Sequence, residues 1–429
     1  MELPLKYDGS LRWLFLDLNA YFASVEQAEN PELLGKPVAV CPTHGDSATI
    51  IAASYEAKPF GIRTGTRVGE AKQLCPDIIL VPATPALYVA YHRAVLAAVE
   101  SVLPIDKVCS IDELRIRLLG EERTPKNATR LAHQLKQAIR DHVAPSLQCS
   151  IGIAPNAWLA KLATEFQKPD GLVFIHPQEL PDRLQGLKLT EFPGINKRMQ
   201  ARLNASGVFT SDDLIRQNPK QLSNAFGSVI GERWYYLLRG YDVQFENETG
   251  KTLGHSHVLP PDMRTDQDSR AVLLRLTHKA CSRLRATGVW ATHVSVSVTG
   301  RIRSWHAESR IPPTQDAISL APTIERLWRD RDFSQPTKVS ITFHNLKKGP
   351  ETTPSLFEPT KDYAELGHAV DTVNNKFGKN SVFLASLDKA KNSATEKIAF
   401  NKTWLFSEGK DDHVWPDTFR GLQPERDEN

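Results

Sequence analysis

The sequence contains little cysteine: five residues among 429, widely separated and odd in number. They are Cys41, Cys75, Cys109, Cys149 and Cys281. No two have the CxxC spacing, so the pattern argues against a disulfide framework and against a structural zinc site. We expect a protein of a reducing compartment, the cytoplasm.

Long apolar runs are also missing at the start of the chain. The first apolar run begins after Arg12 and is interrupted by Asp17 and Asn19, which is typical neither of a signal peptide nor of a membrane span. Internal repeats and low-complexity tracts are absent from the sequence as well. We therefore expect a cytoplasmic protein without a membrane partner, and its length predicts two to four domains.

An excess of one charge is lacking overall, since the formal net charge is only +3, but the charge is unevenly distributed. Residues 251–349 carry 16 Lys or Arg against 8 Asp or Glu, whereas residues 350–429 carry 10 against 14. A basic segment inside a nearly neutral chain indicates a polyanionic partner such as nucleic acid. A merely solvated basic face is the alternative.

Hydrophobic periodicity predicts alternating strands and helices from Leu11 to Ile175. Examples are the strand "RWLFLDL", the helix "AYFASVEQAE", the strand "KVCSIDELRIRL" and the helix "AWLAKLATEFQK". This alternation favours an α/β or α+β core. Residues 176–241 read as helical only, and an Arg-rich α+β domain follows a boundary near residues 246–251.

Three carboxylates stand at the ends of predicted strands. Asp17 ends one apolar strand, and Asp112 and Glu113 lie side by side on another. Carboxylates that converge need a compensating cation, and Mg²⁺ prefers hard oxygen ligands. Neighbours on a regular strand point to opposite faces, so this site requires a turn or bulge. The alternative is an exposed acidic pair that forms salt bridges to Arg115 or Arg117.

The segments "FLDLNAYFASVEQ", "SIDE", "SIGIAPNAWLAKLATEFQKPDG" and "FPGI" strongly resemble those of the Y-family, or translesion, DNA polymerases, in the family's order. Asn19, Lys58 and the tail "AVDTVNNKFGKNSVFLAS" look most like the branch of the bacterial DNA polymerase V catalytic subunit. The resemblance covers nearly the whole chain.

The resemblance implies an α+β multidomain right hand. It comprises a ferredoxin-like palm, small fingers, a helical thumb with a helix-hairpin-helix, and an α+β little-finger domain. The implied boundaries are palm 1–27 and 85–175, fingers 28–84, thumb 176–241, linker 242–253, little finger 254–348 and tail 349–429.

The resemblance also implies the active site. Asp17, Asp112 and Glu113 are the expected catalytic carboxylates, and with the carbonyl of Leu18 they would hold two Mg²⁺ ions. A primer 3′-hydroxyl would attack the α-phosphate of a dNTP, without proofreading. The residues expected to bind the nucleotide are Phe22 as a steric gate against the ribose 2′-hydroxyl, Tyr55, Lys58 and Lys161.

Some positions depart from the family's pattern. Lys58 stands where many members have Arg, and Ala52 where a hydroxyl residue is common. Arg115 and Arg117 follow "SIDE" in place of the usual aromatic and acidic continuation. A lysine lacks the bidentate grip of arginine, so nucleotide affinity is expected to rely on other groups too.

The remaining expectations concern macromolecular partners. Gly194, Lys197 and Arg198 in the "FPGINKR" turn, and Arg301 and Arg303 in the basic domain, would bind the backbone of primer-template DNA. Leu356 and Phe357 would dock on a sliding clamp, unless this segment packs on its own protein. Accessory mutagenesis subunits are further expected partners.

Two rival functions remain open from the sequence. One is a catalytically silent DNA-binding and recruitment factor of the same family, against which the three carboxylates argue. The other is a restricted, template-independent nucleotidyl transferase, for which the sequence carries no distinguishing feature.

Overall fold

The computed structural model describes residues 5–243, 252–331, 335–349, 363–378, 380–390 and 393. These residues form two compact units that separate between residues 243 and 252. In the first unit the strands are β1 (Leu5–Lys6), β2 (Trp13–Leu18), β3 (Val38–Cys41), β4 (Ala52–Ala53), β5 (Ile79–Pro82), β6 (Lys107–Val108), β7 (Glu113–Arg117), β8 (Cys149–Ala154), β9 (Leu172–Phe174) and β10 (Asp242–Val243). Its helices are α1 (Tyr21–Glu29), α2 (Val68–Leu74), α3 (Pro85–Glu100), α4 (Pro125–His142), α5 (Ala157–Phe166), α6 (Lys197–Ala205), α7 (Ser211–Arg216), α8 (Pro219–Phe226) and α9 (Ile230–Leu237).

The main sheet of the first unit has the order β6-β7-β2-β8-β9, with β2 at its centre. Neighbouring strands are antiparallel except for the parallel pair β8 and β9. Every residue of β2 and β8 is buried, because side chains that alternate along a strand meet a core on each face of the sheet. Leu14 and Leu16 pack in the core of α3 and α4, whereas Trp13 and Phe15 pack in the core that includes α5.

Two smaller assemblies complete this unit. The order β4-β3-β5 forms a three-stranded sheet, which packs with α2 around a separate core that includes Ile50 and Val68. Helices α6 to α9 surround Leu203, Leu222 and Trp234, and this core is continuous with that of α5. The sheet that carries Asp17 is thus packed on both faces, which fixes its strand ends.

The second unit contains strands β11 (Thr252–Val258), β12 (Val289–Thr299), β13 (Ser304–Thr314), β14 (Lys338–His344) and β15 (Lys347–Lys348), and helices α10 (Asp266–Ala286), α11 (Ala317–Arg329) and α12 (Ala364–Phe377). Its antiparallel sheet has the order β11-β14-β12-β13, with β15 paired to β12. Val294, Val296 and Ile341 share a core with residues of α10 and α11. Helix α12 contacts α10, and Arg285 pairs with Asp371 at 2.7 Å.

The structure confirms the mixed α+β class, and it corrects one strand. The segment "KVCSIDELRIRL" was expected to be a single strand, but it forms β6 and β7, joined by a turn over residues 109–112. No helix in the described ranges is both long and apolar enough to span a membrane.

Candidate active site

Asp17 lies near the carboxyl end of the central strand of the main sheet. Its Cα pairs with Glu113 of β7 on one side and with Ser150 of β8 on the other. Only 6% of Asp17 is exposed, so its carboxylate is enclosed and needs nearby positive charge. The backbone of Leu18, the next residue, ends the strand.

The turn between β6 and β7 explains how the adjacent residues Asp112 and Glu113 can both face one site. The amides of Cys109 and Ser110 both donate to the carbonyl of Glu113, at 2.8 and 3.1 Å, which closes the hairpin. Asp112 lies in the turn and Glu113 begins the strand, so the strand alternation does not separate them. The amide of Leu18 donates to the carbonyl of Asp112 at 2.8 Å, which fastens the turn to β2.

Two lysines neutralise the carboxylates. The ammonium of Lys161 bonds to Asp17 and lies 2.8 Å from Oε1 of Glu113, while that of Lys168 lies 2.9 Å from Oδ1 of Asp17. Both lysines also bond to Glu165, at 3.1 and 2.8 Å. Asp17 and Glu113 therefore face a single cation position, which the ammonium of Lys161 fills.

The carboxylates respond differently to this environment. Burial alone would raise the pKa of Asp17, but Lys161 and Lys168 together hold that pKa below its usual value. Burial raises the pKa of Asp112, and the charge of Asp17 raises it further. Burial also raises the pKa of Glu113, because Lys161 is shared with Asp17 and compensates only part of the cost. The pair at Asp112 and Glu113 thus calls for more positive charge than the lysines supply.

Helix α5 holds Lys161 against the sheet. Asn156 begins the helix, and its side chain accepts a hydrogen bond from the amide of Leu159 at 2.8 Å. The helix approaches β8 so closely that a Cβ atom on Gly152 would lie 2.0 Å from the carbonyl oxygen of Ala160. Gly152 is therefore a packing requirement for the position of Lys161.

Asn19 orients the loop that contains Lys168. Its Nδ2 donates to the Ser150 hydroxyl at 3.1 Å, and its Oδ1 accepts from the amide of Asp170 at 2.8 Å. Sequence reasoning missed Lys168 and Glu165 as site residues. Glu165 lies one turn after Lys161 on α5, and this i,i+4 spacing could have indicated it, whereas Lys168 lies beyond the end of α5 and no spacing signal places it.

The donor chemistry of this site fits a hard divalent cation. All its acidic donors are carboxylate oxygens, and the carbonyl of Leu18 is close in sequence. Within the described residues, no three acidic, histidine or cysteine side chains are already arranged around a metal position. Asp17, Asp112 and Glu113 are the side chains that could hold such a cation here, where it would supply the positive charge that the ammonium of Lys161 now supplies.

Tyr55 and Lys58 lie beside the same charges. The ammonium of Lys58 stands 3.3 Å from the centroid of the Tyr55 ring. Burial, followed by the charge of Lys168, lowers the pKa of Lys58 to about 8. Burial, followed by the charges of Asp17 and Glu165, raises the pKa of Tyr55 to about 12. These shifts place both residues within electrostatic reach of the carboxylate and lysine cluster.

Phe22 lies in the first turn of α1, just beyond β2, and only 4% of it is exposed. Its ring stacks on Tyr88 of α3. The Tyr88 hydroxyl donates to Oε1 of Glu26 at 2.5 Å, and the Tyr21 hydroxyl donates to the Tyr88 carbonyl at 2.7 Å. The Phe22 ring is thus held by a packed aromatic group.

The expected DNA contacts lie elsewhere. Gly194 is exposed with a φ of +102°, in the turn before α6, and Lys197 and Arg198 are the exposed first two residues of that helix. Arg301 and Arg303 are exposed in the turn between β12 and β13 of the second unit. Leu356 and Phe357 lie outside the described residues.

Comparison with known proteins identifies relatives. Residues 16–165 match the impB/mucB/samB family, and residues 250–373 match the C-terminal domain of that family. The chain is 32% identical over 387 residues to DNA polymerase IV of Moorella thermoacetica, covering 87% of this chain and 95% of the relative.

Among solved structures, the chain resembles a Y-family DNA polymerase chimera, Dbh-Dpo4(243-245)-Dbh, with a TM-score of 0.66 and 25% identity. The match covers 79% of this chain and 100% of the other. An insertion ternary complex of Dbh DNA polymerase also matches, at a TM-score of 0.53, 25% identity and the same coverage of both chains. These likenesses confirm the expected right-hand fold with palm and little finger. The comparisons do not support the expected polymerase V branch, since the Moorella thermoacetica relative is named DNA polymerase IV.

Proposed function

The chain belongs to the Y-family of DNA polymerases and is a translesion DNA polymerase, and we propose that Asp17, Asp112 and Glu113 are the carboxylates of its active site. One observation carries this proposal. Asp17 and Glu113 share one cation position, and the turn that contains Asp112 is fastened to the same strand end. An exposed acidic pair bound to Arg115 would have neither feature; Arg115 pairs with Asp106 instead.

Two Mg²⁺ ions fit this site, held by Asp17, Asp112, Glu113 and the carbonyl of Leu18. Bound there, they would activate the primer 3′-hydroxyl and stabilise the departing pyrophosphate. The chain's own residues position these ligands and set their charge. The sheet positions the carboxylates. Burial raises the pKa of Asp112 and of Glu113, so positive charge bound beside them would stabilise their ionised forms.

The lysines have a second role in this proposal. Lys161 and Lys168, released from the carboxylates when metal binds, would face the triphosphate of the incoming dNTP together with Lys58 and Tyr55. Compact ammonium charges suit phosphate oxygens. Lys168 joins the expected residues because it bonds to the same carboxylate as Lys161. Phe22 would lie against the sugar and reject a 2′-hydroxyl by clash.

Primer-template DNA and a dNTP are the substrates, in agreement with the ternary complex of the Dbh relative. Gly194, Lys197 and Arg198 would contact DNA phosphates, since an exposed glycine turn precedes α6 and the first two residues of that helix are exposed cations. Arg301 and Arg303 would contact phosphates from the second unit. Such contacts carry no sequence preference.

Further partners remain predictions. Clamp binding through Leu356 and Phe357, and the use of accessory mutagenesis subunits, rest on the resemblance alone. The cytoplasmic location expected from the sequence is likewise a prediction.

Primer extension on damaged and undamaged templates, with each dNTP separately and with Mg²⁺, tests the function. We expect templated insertion by the wild type, and loss of more than about 100-fold in Asp112→Asn, since even outer partners of metal ligands cost 10–100-fold. DNA affinity should be unchanged. Asp106→Asn is the matched control, because this acid lies six residues earlier and pairs with Arg115 at 2.8 Å, away from Lys161 and Lys168.

Each rival function has its own outcome in this assay. No extension by the wild type would favour a silent recruitment factor. Insertion of one nucleotide regardless of template would favour the restricted transferase. Full activity in Asp112→Asn would reject the assignment of the carboxylates.

A further inference from the structure

A histidine on α3 contacts the turn that carries Asp112. His92 is 4% exposed, and its Nδ1 lies 2.7 Å from the carbonyl oxygen of Ile111. Ile111 itself is fully buried, and it directly precedes Asp112. A group from outside the main sheet thus reaches the backbone one residue away from a proposed metal ligand.

The direction of this hydrogen bond is fixed by its acceptor. A carbonyl oxygen can only accept, so Nδ1 of His92 must carry a proton and donate it. Burial lowers the pKa of His92 to about 4, although the bond to Ile111 opposes this shift. At neutral pH the ring is therefore uncharged, and the Nδ1–H tautomer is the one that the structure requires.

Three other backbone groups of the turn are bonded to the two strands. The carbonyl of Asp112 accepts from Leu18, and the amides of Cys109 and Ser110 donate to Glu113. The carbonyl of Ile111 points the other way, toward α3, and His92 is its hydrogen-bond partner there. A buried carbonyl that loses its hydrogen-bond partner destabilises the conformation that buries it. Loss of His92 would thus favour rotation of the Ile111–Asp112 peptide plane.

We propose that His92 is a positioning residue for Asp112, whose turn it holds in the orientation that brings the carboxylate to the metal site. This inference rests on the proposed metal-binding role of Asp112. A functional site needs its groups within about 0.5 Å of the productive geometry, and a peptide plane next to a ligand moves that ligand directly.

Two substitutions separate this role from simple packing. His92→Asn places an amide N–H where Nδ1–H stood, because both nitrogens are bonded to Cγ. His92→Leu fills similar space without a donor. Val99→Ala is the control for general destabilisation, because Val99 is a buried residue of the same helix about two turns after His92.

The first measurement is metal affinity without turnover. Mn²⁺ is titrated into the protein with DNA and a nonhydrolysable dNTP analogue, and free Mn²⁺ is counted by electron paramagnetic resonance. We expect His92→Leu to raise the dissociation constant about 10–100-fold, as for partners behind metal ligands. His92→Asn should remain within about threefold of the wild type, and Val99→Ala should not change the constant.

The second measurement is the Mg²⁺ concentration for half-maximal primer extension. It should rise most in His92→Leu, little in His92→Asn and not at all in Val99→Ala, while the dissociation constant for DNA stays constant in each variant. Equal metal affinity in His92→Leu and the wild type, or equal losses in His92→Leu and His92→Asn, would overturn the positioning role. If Asp112→Asn also binds Mn²⁺ as the wild type does, the proposed metal site itself has failed. If only the His92 variants behave as the wild type does, the failure concerns His92 alone.

Discussion

The ring of Phe22 stacks on the ring of Tyr88, with centroids 4.4 Å apart and 24° between their planes. The stack joins α1, which follows the strand of Asp17, to α3, which contains His92. An aromatic ring held in this way cannot turn aside to admit a bulkier sugar, because its neighbours are fully packed. The contact therefore gives the proposed steric gate its rigidity.

Phe22→Ala should admit ribonucleotides. Removal of the ring leaves space for the 2′-hydroxyl, so the preference for dNTP over rNTP in kcat/KM should fall on the order of 10-fold or more. Single-nucleotide insertion with matched dNTP and rNTP measures it. Tyr91→Phe, which changes only a hydroxyl of α3 bonded to Glu29, is the control. An unchanged sugar preference in Phe22→Ala would show that Phe22 is not the steric gate.

The efficiency of nucleotide use should depend on the charge of Lys58. Its pKa is lowered from 10.5 to about 8, so its ammonium is present below pH 8 and is lost as the pH rises through 8. The contribution of this charge to kcat/KM for dNTP should fall above pH 8, since kcat/KM reports groups of the free enzyme.

Lys58→Arg tests this pH effect, because arginine keeps its charge at every pH of the experiment. The ratio of kcat/KM of the wild type to that of Lys58→Arg should decline between pH 7.5 and 9. The ratio cancels the pH dependence of groups common to both proteins. A constant ratio would show that Lys58 does not lose a charge used in catalysis between pH 7.5 and 9, which would contradict the lowered pKa.

Gly152→Ala should destabilise the protein and displace Lys161. The added Cβ would meet the carbonyl oxygen of Ala160 at 2.0 Å and the Cβ of Ala163 at 2.8 Å, so α5 must move away from β8. We expect a loss of about 1–3 kcal/mol in the free energy of unfolding, the usual cost of overpacking. Urea denaturation measures it.

A glycine without close neighbours provides the control for that substitution. A Cβ atom on Gly45 would lie no closer than 4.0 Å to a neighbour, the Thr43 hydroxyl, and its φ is not left-handed, so Gly45→Ala should leave the stability within about 0.5 kcal/mol of the wild type. Equal stability of Gly152→Ala and Gly45→Ala would mean that α5 does not pack on β8 as closely as the structure has it.

Arg301→Ala and Arg303→Ala should weaken DNA binding in a salt-dependent manner. Each lost phosphate contact should reduce the slope of log affinity against log salt concentration by about 1, uniformly across DNA sequences. Fluorescence anisotropy from 50 to 200 mM salt measures the slopes. Lys126→Ala, an exposed cation at the start of α4, is the control. A slope that is unchanged in both arginine variants would show that Arg301 and Arg303 do not contact the DNA phosphates.

The sequence predicts the alternation of strands and helices and the acids at the strand ends. A strand that is buried on both faces leaves a nearly continuous apolar run, such as "WLFLDL" in β2, and Asp17 stands out near the end of that run. The apolar pattern does not show the turn at residues 109–112, and only the requirement that Asp112 and Glu113 share one site indicates a turn or bulge there. Ile111 in this turn is fully buried, so the apolar pattern continues across the break and imitates one strand.

Other site residues depend on tertiary packing. Lys168 follows the end of α5 and reaches Asp17 only because Asn19 bonds to the backbone at Asp170. In the sequence, Tyr88 and His92 are two positions of an amphipathic helix. They face the site because α3 packs beside β2 and beside the turn at residues 109–112. Strand β13 was also missed, since its inward side chains Trp305, Ala307, Ser309 and Ile311 include small and polar residues and most of them are only half-buried.

The ammonium groups of Lys161 and Lys168 act as internal counterions for the acidic cluster. The chain can therefore reach its native state before any divalent ion arrives, unlike small metalloproteins whose folding waits for the metal. Treatment with a chelator should then silence catalysis while the thermal unfolding transition stays in place, so that storage without metal leaves an apoprotein ready for reactivation.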